Sequence, residues 1–154
     1  MSLRRPIALT VIAVLVAVAC AVGLGFAWQR YEDDQQLDRN RAQVARQAGP
    51  LVAQLFSSDA AKGRDQARAA VTPGFAQQYA AVLDAEPPAG VTIEWKPVHT
   101  GISGVGENRA DAVVSALVTE NVAGSGPTTA TKVVDVELER SGEQWKIARA
   151  DEVL

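Results

Sequence analysis

The sequence has very few of the residues that build metal sites and disulfides. It contains one cysteine and one histidine among 154 residues. A structural zinc site takes four Cys or His ligands, and a disulfide takes two cysteines. The usual zinc spacings and an intrachain disulfide are therefore excluded, and the folded part must rely on its hydrophobic core. We expect neither a metal nor a cofactor.

The common catalytic motifs are also missing. The sequence contains no nucleophile elbow, no phosphate-binding loop and no dinucleotide-binding fingerprint. Its single histidine is His99, and the predicted secondary structure places no cysteine or carboxylate next to it. We therefore interpret His99 as a surface residue. The sequence therefore favours a protein that is not an enzyme.

Positive charge is too sparse for a nucleic-acid surface. The chain has 15 basic and 18 acidic residues, which gives a net charge of −3. Leaving out Arg4 and Arg5 reduces the basic residues from 15 to 13, so the rest of the chain carries about −5. A mildly acidic domain without a basic cluster binds nucleic acid poorly. We expect no nucleic-acid partner.

The longest apolar stretch lies near the N-terminus. Residues 6–28 carry no charge, and the 21 residues of Ile7–Ala27 are almost all apolar. As a helix, this run spans about 31 Å, close to the hydrocarbon thickness of a bilayer. The sequence predicts a transmembrane helix over residues 6–28, with the lipid bilayer as its surroundings.

The residues that flank the apolar stretch predict its orientation. Arg4 and Arg5 precede it, and the positive-inside rule then places residues 1–5 in the cytoplasm. Trp28 and Tyr31 lie where an interfacial belt of aromatic residues is expected. We therefore expect a single-pass protein of the cell (inner) membrane whose C-terminal domain is periplasmic.

Two other interpretations of the same stretch remain open. It can be a cleaved signal peptide with Ala17–Ala19 as the small-residue cleavage site, or a lipoprotein signal that ends at Cys20. Both would end the apolar stretch near Cys20, whereas residues 21–28 continue it. This continuation favours the uncleaved anchor.

The rest of the chain begins with helical patterns. Apolar residues at three- and four-residue steps predict a juxtamembrane helix over 29–60, which Gly49–Pro50 should kink or break. A short helix over Lys62–Val71 follows. Thr72 is suited to cap the next helix, with Pro73 at its first position.

From Val91 onward the apolar period changes to two. This alternation predicts four strands joined by turns, with Pro97 at an edge or bulge and a glycine-rich turn over Gly101–Asn108. A tight hairpin is expected at Ser141–Gly142. The predicted strands are Val91–His99, Ala110–Val122, Thr129–Arg140 and Gln144–Arg149.

Helices followed by strands predict an α+β fold for a domain over 61–154. In such a fold, helices pack on one face of a curved four-stranded antiparallel sheet. The other face should be wet, and it should carry an acidic stripe of Asp135, Glu137 and Glu139 that a basic partner could use.

The aromatic residues are the candidate core. We expect Phe75, Tyr79, Trp95 and Trp145 to lie between helices and sheet, as core residues or as the lining of a pocket. Of the acidic residues, the strand phasing leaves only Asp111 as a candidate for an inward-facing carboxylate.

Three segments carry a resemblance to a known family. They are the helix start Val71–Tyr79, the Ala- and Val-rich strand Arg109–Val118, and the strand Gly142–Ile147. Together with the basic N-terminus and the apolar segment, they resemble the Mce-associated membrane proteins of mycobacteria and other actinobacteria.

The resemblance implies a cone-shaped domain of the nuclear transport factor 2 type, held at the membrane in the cell envelope. It also implies a role as an accessory or stabilising subunit of a mammalian-cell-entry (Mce) lipid-import complex. The implied partners are Mce proteins, the permease and other associated proteins.

Two other functions remain open at this point. An inner-membrane assembly subunit of a type IV secretion system has the same layout of one helix and one domain. A small-ligand binder or isomerase would use the pocket of the cone, and an isomerase would need a buried acid or base beside that pocket.

Overall fold

The computed structural model describes residues 34–58, 63–86 and 88–153. The predicted cytoplasmic residues 1–5, the predicted membrane segment 6–28 and the flanking residues Arg4, Arg5, Trp28 and Tyr31 lie outside these ranges. Within the described ranges, no helix is both long enough and apolar enough to span a bilayer.

The chain divides into two units, Met1–Asp38 and Arg39–Leu154. Of the first unit the structure describes residues 34–38, which are helical. The second unit contains four helices and four strands within the described ranges. The helices are α1 (39–56), α2 (Gly63–Ala70), α3 (Pro73–Gln78) and α4 (Ala80–Leu83).

The predicted break at Gly49–Pro50 was wrong, because α1 continues through both residues. Pro50 has no N–H, so the carbonyl four residues earlier in the helix lacks its usual donor. Pro50 lies on the exposed side of the helix, where water can donate to that carbonyl instead. Gly49 is buried. A Cβ there would lie 3.1 Å from the Cβ of Pro97, so glycine allows a close approach of α1 to the sheet.

The four strands form one antiparallel meander in the order β1-β2-β3-β4, which confirms the α+β fold class. Their bounds are β1 (Val91–Val105), β2 (Arg109–Val122), β3 (Thr128–Ser141) and β4 (Gln144–Glu152). Each strand pairs with its neighbour in sequence, so every turn in the sheet is local.

The predicted turn over Gly101–Asn108 was too long, because β1 runs on to Val105. The pairing of β1 with β2 shifts register at two places, one between Pro97 and His99 and one between Ile102 and Gly104. A Cβ on Gly104 would lie 3.0 Å from Oδ2 of Asp111, so this glycine leaves room for the Asp111 side chain in its present position.

One face of the sheet is buried under α1 and the short helices. Alternate residues of β2, β3 and β4 form the floor of the core, as the alternation of apolar residues predicted. The fully buried floor residues include Ala112, Val114, Ala116, Val134, Leu138, Trp145 and Ile147. From α1, Val44, Ala48 and Val52 pack onto this floor with no exposed surface.

The other face of the sheet is wet, and two arginines offset part of the charge of its acidic stripe. Arg109 lies 3.8 Å from a carboxylate oxygen of Glu137 and 3.1 Å from one of Glu139. Arg149 lies 4.0 Å from a carboxylate oxygen of Asp135. The arginines are exposed and the carboxylates are half-exposed, so each pair contributes little to stability. The stripe is less available to a basic partner than the sequence suggested.

Candidate functional site

A cavity of about 510 Å³ lies in the Arg39–Leu154 unit, at the end of the core where β1 begins and β4 ends. Its volume is in the range of small-molecule sites in proteins. The lining comes from the end of α1, from α2, α3 and α4, from the segments that follow α1 and α4, and from one residue each of β1 and β4. The apolar side chains are Leu55, Phe56, Ala67, Phe75, Tyr79, Val82, Leu83, Ala85, Pro88, Ile93 and Ala150.

Hydrogen bonds between segments that are distant in sequence hold the walls of the cavity in place. Ser57 and Ser58, which follow α1, accept hydrogen bonds from the main-chain N–H groups of Trp95 and Ile93 at 3.0 and 3.3 Å. On the opposite edge of the sheet, Thr72 donates its main-chain N–H to the carbonyl of Ile147 at 2.9 Å. The helices are therefore tied to both edge strands.

The start of α3 forms as the sequence predicted. Thr72 caps the helix by accepting a hydrogen bond from the N–H of Phe75 at 3.3 Å, and Pro73 is the first helical residue. The helix then ends at Tyr79, where α4 starts anew. This local geometry directs Phe75 and Tyr79 to the cavity.

Three aromatic rings, those of Phe56, Phe75 and Tyr79, belong to the cavity wall. The rings of Phe75 and Tyr79 lie with centroids 4.6 Å apart at an angle of 37°. Phe56 stacks on Trp95, with centroids 4.8 Å apart, so Trp95 lies directly behind the wall. A change of occupancy in the cavity would therefore alter the surroundings of a tryptophan.

Two charged residues, Arg64 and Glu86, lie at the rim, and both are exposed. Within the described part of the chain, Arg64 makes no ion pair with another side chain. By contrast, Arg68, one turn further along α2, pairs with Asp84. The rim thus offers one guanidinium that is available to a ligand.

The four aromatic residues expected in the core or pocket fall into two groups. Phe75 and Tyr79 line the cavity, with Tyr79 41% exposed at its rim. Trp95 lies behind Phe56, and Trp145 is 1% exposed in the core, outside the cavity lining. Sequence reasoning missed Arg64, because an exposed arginine on a short helix has no pattern that marks it as a rim residue.

The candidate acid–base residues of the sequence are not in the cavity. His99 is exposed in the middle of β1, and Asp111 is exposed on the wet face of β2. The inward position considered for Asp111 was wrong, because Ala110 and Ala112 hold the buried positions on either side. In the described ranges, no cluster of His, Cys, Asp and Glu could hold a metal ion.

The other end of the core is closed by a buried polar contact. Asn40 is 1% exposed and donates through Nδ2 to the carbonyls of Gly106 and Glu107 at 3.0 and 3.3 Å. Its Oδ1 accepts a hydrogen bond of 3.0 Å from the guanidinium of Arg140. One side chain thereby joins α1 to the β1–β2 turn and to the end of β3.

Comparison with known proteins identifies no family for this chain. No family model matches the chain, and no curated protein matches it. Among solved structures, the chain is similar to the intermembrane space region of the chloroplast protein ARC6, with 13% identity and a TM-score of 0.48. The match covers 70% of this chain and 95% of that one. A likeness at this level carries no argument about either the fold or the function.

Proposed function

We propose that this protein is a non-enzymatic accessory subunit of a membrane-bound Mce-type lipid-import complex. In this proposal, residues 6–28 anchor the chain in the inner membrane, with residues 1–5 in the cytoplasm and the α+β domain in the periplasm. The subunit acts through protein–protein contacts of its membrane helix and its domain surface.

We propose further that the domain belongs to the cone-shaped class of the nuclear transport factor 2 type. The support is its architecture: a four-stranded antiparallel meander with helices on one face and a cavity at one end. The finer class is a matter of sheet curvature and helix placement, and an experimental structure tests it directly.

One observation carries the proposal more than any other. The segment Val71–Tyr79 is one of the three that resemble the Mce-associated proteins. It contains the cap at Thr72, the helix start at Pro73 and the neighbouring rings of Phe75 and Tyr79. Val71 also forms a parallel bridge with Ile147, in the third segment of the resemblance. Two of the three resembling segments are thus in direct contact in the fold.

Affinity purification from native membranes tests the proposed role. The tagged full-length chain is extracted in a mild detergent, and the proteins retained with it are quantified by mass spectrometry. Mce proteins and a permease should be enriched. A control chain in which an unrelated apolar helix replaces residues 6–28 separates contacts of the membrane helix from contacts of the domain.

The same experiment distinguishes the competing functions. Consistent enrichment of secretion ATPases without Mce proteins would support the type IV secretion hypothesis and contradict ours. The anchor has its own test, because a chain held by a membrane helix should stay in the membrane pellet after carbonate washing. Recovery of the full-length chain in the soluble fraction would refute the anchor.

A further inference from the structure

We propose that the cavity binds a single-chain amphiphile with a negatively charged headgroup, of which a long-chain fatty acid is the simplest. The apolar chain would occupy the space between the short helices and the sheet, and the headgroup would contact Arg64 at the rim. This inference stands on the cavity itself and does not depend on the Mce role proposed above.

The size and lining of the cavity favour an apolar body. A volume of about 510 Å³ is suitable for a ligand with many carbon atoms, and ligand sites of this size are mostly apolar with a few polar groups. The serine side chains of the wall, Ser57 and Ser58, already accept hydrogen bonds from β1. The interior therefore offers mainly contact with carbon atoms.

The rim exposes large apolar side chains that a ligand would cover. Val82 is 71% exposed and Tyr79 is 41% exposed, although both belong to the cavity lining. Removing apolar surface from water stabilises a complex. An acyl chain that passes the rim would cover both side chains.

Charge at the rim favours an anionic headgroup. Arg64 has no ion-pair partner among the described side chains, whereas Arg68 on the same helix is paired with Asp84. A guanidinium can hold a carboxylate through two parallel hydrogen bonds. Glu86, which follows α4, also lies at the rim. Its carboxylate would repel an anion, so we place the headgroup at α2 rather than at the α4 side.

Photo-crosslinking in membranes tests the site with the full-length chain. The probe is a clickable palmitic acid that carries a diazirine in its chain, and mass spectrometry maps the labelled peptides. We expect labelling of the segments that contain Phe56 and Phe75–Leu83. Unlabelled palmitic acid should compete, and hexadecanol, which has the same chain without a charge, should compete less well.

Two variants probe the two halves of the ligand. Ala67→Phe fills the cavity from a buried position and should reduce labelling about tenfold, equivalent to about 1.4 kcal/mol of binding. Arg64→Gln should reduce it about two- to fivefold, the range for one exposed ion pair. The matched controls are Ala69→Phe and Arg46→Gln, which alter exposed helical residues outside the lining and should label normally.

A third variant covers the case in which a Phe at position 67 disturbs packing. Val82→Asp alters an exposed position and should also reduce labelling.

The outcomes separate the proposal from its alternatives. Labelling confined to residues 6–28 would refute the cavity as the site. Equal competition by palmitic acid and hexadecanol, together with unchanged labelling of Arg64→Gln, would refute the anionic headgroup. Neither result bears on whether Mce proteins co-purify.

Discussion

The two ends of the domain's core are built differently although they share one sheet. At the end near Asn40, α1 lies close to the sheet, and residues such as Val44, Ala112 and Leu138 have no exposed surface. At the other end, the short helices α2 to α4 leave the cavity of about 510 Å³. There the best-buried residues of α3 and α4, Phe75 and Leu83, each retain 8% exposure.

The difference between the two ends follows from small side chains at the closed end and from short helices at the open end. Under α1, β2 presents buried alanines, and α1 itself presents Ala48 and Gly49 to the sheet. Gly49 allows the helix to approach Pro97 and Thr100 of β1 closely. The open end is roofed by helices of eight, six and four residues, which are too short to cover the sheet by themselves. The long helix α1 packs against small residues and covers the core at the closed end. The short helices α2 to α4 leave a cavity at the open end.

The largest predicted effect on stability is the difference between a leucine-to-alanine substitution at the closed end and one at the open end. Leu138→Ala should lower the free energy of unfolding by about 2–5 kcal/mol, because it creates a hole in a closed core. Leu83→Ala should cost only about 1–2 kcal/mol, because it enlarges a space that already exists. Denaturant unfolding of the full-length chain in detergent, followed by tryptophan fluorescence, measures both values. Equal losses would show that the two ends are equally packed.

A smaller effect is expected at the polar contact that closes the packed end. Asn40→Ala removes one acceptor from Arg140 and leaves the carbonyls of Gly106 and Glu107 without their donor, which should cost about 1–3 kcal/mol. The control is Asn108→Ala. Asn108 uses its main-chain carbonyl, not its side chain, to accept from the N–H of Arg140. If both variants unfold at the same denaturant concentration, the buried contact contributes nothing to stability.

The smallest effect distinguishes two helical glycines. Gly74→Ala meets nothing within 4 Å and should stabilise the domain by about 0.5 kcal/mol through the higher helix propensity of alanine. Gly49→Ala brings a methyl group 3.1 Å from Pro97 and 3.3 Å from Thr100, so crowding should turn the gain into a loss of about 1 kcal/mol. Thermal melts of the two variants measure the difference. A stabilised Gly49→Ala would mean that α1 does not approach the sheet so closely.

Much of the fold could be predicted from the sequence because its signals are local. The alternation of Val134, Val136 and Leu138 with acidic residues fixed the buried face of β3, and Thr72–Pro73 fixed the start of α3. Prediction was wrong where a local signal was overridden by packing. Gly49–Pro50 looks like a helix break, yet the fold uses the glycine for close contact and exposes the proline.

Only part of the candidate site could be predicted from the sequence. Phe75 and Tyr79 could be assigned to a core or pocket by their spacing on a helix. Phe56 and Arg64 could not, because they come from α1 and α2, and their position at the cavity depends on how those helices pack. The spacing of apolar residues along one helix does not predict which residues of another helix will pack next to it.

By itself, the sequence determined the order of helices and strands, the buried face of the sheet, and the charge-free stretch from which we infer an anchor. These features depend on the periodicity and composition of neighbouring residues. Only the tertiary structure decided that one end of the core is closed and the other is open. That decision depends on the volumes of side chains that meet from distant segments, and no local pattern records those volumes.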